Sequence, residues 1–109
     1  MANVKAINFL NEQLNEPLTF GGMIKNIRLT EYENMTQQRF ADEVLHLSKT
    51  RLSDIENNRK LVSISKAIEF AKILGQSKRF FVTVAIQDML KQNNLDYSIK
   101  LDNENLSAI

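Results

Sequence analysis

Apolar residues recur at helical spacing along most of this chain. Residues 3–15 set Val4, Ile7, Leu10 and Leu14 on one stripe with Asn, Glu and Gln opposite, which predicts an amphipathic helix closed off by Pro17. Thr19 offers an N-cap to a second helix reaching about Glu33, with Phe20, Ile24 and Ile27 inward, and Asn34 breaks it. Thr36 caps the next, whose buried face is Phe40, Ala41 and Val44, and His46 to Ser48 reads as a short turn. Ser48 caps a compact helix with Leu52 and Ile55 inside, stopped near Asn57 and Asn58, a residue type that tolerates left-handed backbone. Ser63 or Ser65 caps a helix carrying Ile64, Ile68, Ala71 and Leu74, and Gly75 ends it. Ser77 opens a longer helix, about 77–93, in which Phe80, Phe81, Val82, Val84, Ala85, Ile86, Met89 and Leu90 cover more of the circumference than packing on one domain requires.

At Leu95 the period changes to two: Leu95, Tyr97, Ile99 and Leu101 share a face, which predicts a strand over 95–101. A strand needs a partner for its hydrogen-bond ladder, and this sequence offers no other good one, so a second copy of the chain is the natural supplier. Phe80, Phe81, Val84, Leu95, Tyr97 and Ile99 are therefore expected at a homodimer interface. Residues 102–109 read as a flexible polar tail.

Composition narrows the functional classes. The chain has 109 residues, 43% hydrophobic and 25% charged, which suits one folded, mostly helical domain with a core of its own. It has no Cys, a single His (His46, in a turn) and three Gly, so thiolate chemistry, multi-His metal sites and phosphate-cradling glycine loops are all excluded. The acidic pairs Glu12/Glu16, Glu31/Glu33 and Asp42/Glu43 have no conjugate acid or base beside them and read as solvated helix faces. Neither enzymatic activity nor a cofactor or metal is expected. No window approaches the roughly 18 apolar residues of a membrane span, and no basic segment followed by an apolar run opens the chain. The expectation is a cytoplasmic protein without membrane attachment.

The net charge of +1 speaks against a uniformly basic nucleic-acid binder until the chain is divided. From His46 to Arg79 there are eight basic and three acidic residues, a local +5, and the remainder carries −4. Overlapping that basic part is the informative stretch, Thr36 to Arg59: a helix, a short turn and a second compact helix, the dimensions of a DNA-binding helix-turn-helix. Small Ala41 permits a close crossing, and Lys49, Thr50, Arg51, Ser53 and Asp54 fall on the outward side of the second helix.

These residues resemble the Cro/cI (XRE) family of phage and bacterial regulators. The resemblance rests on Gly21, Ile24, Ile27 and Arg28; on Thr36, Gln37, Phe40 and Ala41; on Ser48, Leu52, Ser53, Ile55 and Glu56; and on Leu74 with Gly75, four motif pieces in order over about residues 20–75. It implies a five-helix, phage-repressor-like domain over 18–76, with residues 1–17 as an extra N-terminal helix and 77–101 as a dimerisation helix and strand. It further implies that Lys49, Thr50, Arg51, Ser53 and Asp54 face base edges, while Gln37, Ser48, Asn57, Arg59 and Lys60 hold phosphates. Asp54 is unusual there, and either accepts from a cytosine amino group or braces Arg51 or another arginine. Arg28 and Glu56 are expected to form a structural ion pair. Two spacings depart from the pattern: Arg28 to Gln37 is two residues longer and Ala41 to Ser53 one longer. The second extra residue is expected at Leu45–His46, where the pattern has a turn glycine, lengthening the turn and tilting the recognition helix.

The function implied is that of a dimeric, sequence-specific regulator, a repressor of a palindromic double-stranded DNA operator. The alternative is an antitoxin that represses its own operon through the same domain and grips a toxin through residues 3–15 or 102–109. A pure protein-interaction adaptor on this scaffold is the third reading, distinguished by a lack of salt-dependent DNA binding.

Overall fold

The computed structural model describes residues 18–94, which form five helices and no strand. These are α1 (Phe20–Glu31), α2 (Gln37–Arg39, running on as a π-helical turn, Phe40–Leu45), α3 (Lys49–Glu56), α4 (Ile64–Leu74) and α5 (Lys78–Gln92). The helix expected over 3–15, the strand over 95–101 with Leu95, Tyr97 and Ile99, and the tail 102–109 lie outside the described residues.

Local chemistry sets where each helix begins. Thr19, Thr36, Ser48, Ser63 and Ser77 each present a side-chain oxygen to a backbone N–H in the first turn: those of Gly22, Arg39, Arg51, Lys66 and Phe80. Each such cap stabilises its helix by about 1 kcal/mol. Gly75 ends α4 at φ 66°, and Asn58 turns the chain out of α3 at φ 60°.

The core draws on all five helices. The Phe20 ring of α1 meets Phe81 of α5 edge-on with centroids 5.5 Å apart and lies tilted against Phe70 of α4 at 6.3 Å. Ile24 and Ile27 of α1, Phe40, Ala41 and Leu45 of α2, and Leu52 and Ile55 of α3 complete it. Phe81 and Val84 are thus interior residues of the chain's own core, whereas their neighbour Phe80 is 44% exposed. Ile64 is exposed as well, because as the first residue of α4 it precedes the turn that faces inward; the inward side is Ala67, Ile68, Phe70, Ala71 and Leu74.

In α2 the buried set is Phe40, Ala41 and Leu45, with Val44 only partly covered. An ordinary helix brings both the third and the fourth residue beyond Ala41 to its face. The wider π turn favours the later of the two, because its hydrogen bonds span five residues: the His46 N–H reaches the Ala41 carbonyl, and the Leu47 N–H reaches the same oxygen at 2.8 Å. The extra residue therefore lies within the helix and does not lengthen the turn. His46 takes the left-handed position itself, at φ 57°.

The start of α1 is fastened to α5. The Phe20 N–H donates to Asp88 Oδ2 at 2.8 Å, and Asp88 Oδ1 is buried with no partner among the described residues. Desolvation raises the Asp88 carboxyl above its ordinary pKa, more than the Phe20 hydrogen bond and nearby Lys91 lower it. A carboxyl that binds its proton more tightly when folded favours the fold in acid and loses that contribution as pH rises through its titration. Urea titrations should show this decline beginning at the ordinary aspartate pKa and continuing above it. Asp88→Asn, which keeps an oxygen for Phe20, should remove that part of the pH dependence.

Candidate nucleic-acid interface

Inward residues of α3 fix its position, and outward residues are left for a ligand. Leu52, Ile55 and Glu56 are buried, while Lys49, Thr50 and Arg51 are exposed. Thr50 and Arg51 lie off the inward stripe, and Lys49, three residues before Leu52, is exposed as the first residue of the helix.

Two contacts hold α3 against α1. At Gly21 the helices approach so closely that a Cβ would fall on the carbonyl oxygen of Ile55 and crowd the Asn58 side chain. Only glycine fits there. Two turns further along α1, Arg28 reaches Glu56, with Nε to Oε2 at 2.8 Å and Nη2 to Oε1 at 2.9 Å. The Gln37 amide adds a third donor to Oε1, at 3.1 Å. Glu56 retains 2% of its side-chain surface and Arg28 13%, so this is an interior, two-pronged pair. The bond to Glu56 holds the Arg28 guanidinium above its ordinary pKa, against the opposing effect of burial.

The expected ion pair is thus in place, and it includes a residue expected elsewhere. Gln37, assigned to phosphate, has its amide on Glu56 and ties α2 into the same junction. The Ser48 hydroxyl accepts the Arg51 N–H at 3.0 Å and so fixes the start of α3. Asn57 donates to the Ser53 carbonyl and hydroxyl at 2.8 and 3.3 Å. Asp54 Oδ1 accepts from Arg59 Nε at 2.9 Å, so the arginine it braces is Arg59 and not the Arg51 named first. Lys60 is exposed just past the helix end. Leu45 and the Gln37–Glu56 bond had no local signal in the sequence. Opposite charges on either side of Asn57–Asn58 were the available hint of the Asp54–Arg59 pair.

Other chemistries find little here. Among the described residues there is no group of three or more His, Asp or Glu side chains placed to hold a metal ion, and no helix is long and apolar enough to cross a membrane.

Substitutions at the α1–α3 junction should be costly. Gly21→Ala gains at most about 1 kcal/mol of helix propensity. It has to displace backbone, so a net loss of about 1–3 kcal/mol is expected in chemical denaturation. Glu56→Ala should cost about 3–5 kcal/mol by leaving the guanidinium of Arg28 unpaired in the interior.

A family model described as helix-turn-helix matches residues 24–81 of the chain. No curated protein and no solved structure matches it.

Proposed function

The chain belongs to the helix-turn-helix family, of the Cro/cI (XRE) type whose domain serves DNA-binding transcriptional regulation, and from that premise we propose that it is a dimeric, sequence-specific repressor. In this reading α3 enters the major groove and presents Lys49, Thr50 and Arg51 to base edges, with Ser53 beside them. Lys60 and Asn57 meet phosphates past the helix end, with Arg59 between them, and the starts of α2 and α3, at Gln37 and Ser48, face the backbone. The observation that carries the reading is the division of α3 itself. Its buried side is clamped by Gly21, Arg28 and Gln37, and its exposed side carries two cations and a hydroxyl at the end that would lead into the groove.

A two-fold dimer would set two copies of α3 about 34 Å apart, in successive major grooves, and would select a palindrome. Exposed Phe80 on α5 supports such an interface, extended by the alternating segment from Leu95 to Leu101. The antitoxin alternative uses the same DNA-reading face and adds a toxin. Co-purification with an unrelated small protein separates it from a stand-alone repressor, which a selected operator does not.

Selection of bound sequences from a random duplex pool, followed by salt titration of the winner, tests the proposal. The winning site should be palindromic. Lys49→Ala or Arg51→Ala should cost about 1–3 kcal/mol on it if that residue reads a base, while Lys60→Ala should weaken all sequences alike and reduce the salt slope by about one. If neither Lys49→Ala nor Arg51→Ala changes binding to the selected site, the docking of α3 is overturned.

A further inference from the structure

One residue ties the end of α3 to the loop behind it. The Asp54 carbonyl accepts the Arg59 N–H at 2.8 Å and the Lys60 N–H at 3.3 Å, while its carboxylate accepts Arg59 Nε at 2.9 Å. Arg59 Nη2 also donates to Ser53 Oγ at 3.2 Å. The left-handed Asn58 makes this possible by turning the chain back along the helix. The two charges are unequally placed: the Asp54 side chain is 25% exposed and that of Arg59 57%. A guanidinium has five N–H donors in a rigid plane, so the two committed to α3 leave three. Arg59 therefore lies along α3 with one edge fixed and the rest available.

An exposed carboxylate is repelled by DNA phosphates, and one that is mostly covered and already engaged is poorly suited to read a cytosine. We infer that Asp54 is a positioning residue that holds Arg59 against the recognition helix, so that Arg59 meets DNA as a fixed part of the reading surface. The inference rests on the DNA-reading function proposed above and adds a specificity determinant to it. A freely rotating arginine attracts any duplex. One held in a single orientation favours the duplex whose groups match that orientation, and its paired carboxylate reduces its pull on the rest.

The test compares affinities for the selected operator and for an unrelated duplex at one salt concentration, in the full chain. Asp54→Asn keeps an acceptor oxygen for Nε without the charge, and Asp54→Ala removes both. Both variants should bind the unrelated duplex more tightly. Only Asp54→Ala should lose operator preference, by about tenfold or more, while Asp54→Asn retains it to within about twofold. In an Arg59→Ala background, Asp54→Ala should cause no further loss. Equal loss in Asp54→Asn and Asp54→Ala would show that the carboxylate acts only by its charge and overturn the inference, as would a loss that persists without Arg59. Arg59→Ala alone should lower the preference by a similar factor, so the contact is tested from its other end should Asp54→Ala fail to fold. A wild-type chain with no preference for any duplex would overturn the DNA-reading function, and the inference with it. A wild-type preference that Asp54→Ala leaves untouched overturns the inference alone.

Discussion

A single buried carboxylate organises this domain. Glu56 accepts from Arg28 on α1 and Gln37 on α2 while belonging to α3, so three helices share one set of hydrogen bonds. Burying a charge costs several kcal/mol before its partners compensate, and a buried pair is weak evidence of added stability. Its value here is geometric. An apolar contact at the same place would tolerate small rotations of α3, but a two-pronged guanidinium–carboxylate pair with a third donor fixes direction as well as distance. Gly21 sets how near α3 can come, and Glu56 sets how it is turned.

That constraint gives the exposed side of α3 its meaning. Lys49, Thr50 and Arg51 are ordinary surface residues when taken singly. Thr50 and Arg51 are turned outward by the inward commitment of Leu52, Ile55 and Glu56, and Lys49 leads the helix beside them. Farther from the reading surface, α5 closes the core through Phe81 and holds the beginning of α1 through Asp88. The basic charge lies in the segment that contains α3 and α4, and the rest of the chain is acidic, an arrangement that favours one orientation on a polyanion.

What was legible in the sequence was largely local. Ser and Thr before each apolar run marked all five helix starts, and Gly75 and Asn58 marked two of the stops, because capping depends on residues a turn apart. The Arg28–Glu56 pair was legible only through family resemblance, since its members lie 28 positions apart. The Gln37–Glu56 bond and the interior placement of Phe81 and Val84 depend on how helices cross, and spacing along one helix does not encode that. A continuously apolar α5 in particular cannot show which of its sides the domain itself covers. The surplus residue between Ala41 and Ser53 was visible as a count. Its destination was not, because a π turn has no residue signature comparable to a cap.

Inserting one residue into a helix ordinarily rotates everything beyond it by about 100°. In α2 the disturbance ends within a single turn: Leu45 and Leu47 pack against the core, and Glu56 still meets Arg28. The widened turn works as a slack loop in a taut cable, taking up length without passing on torque. Chain length can therefore drift at this point between related proteins while the surface beyond it stays in register. Residue roles in α3 are accordingly better transferred between relatives by counting back from the glutamate at its end than by counting forward from the alanine in α2.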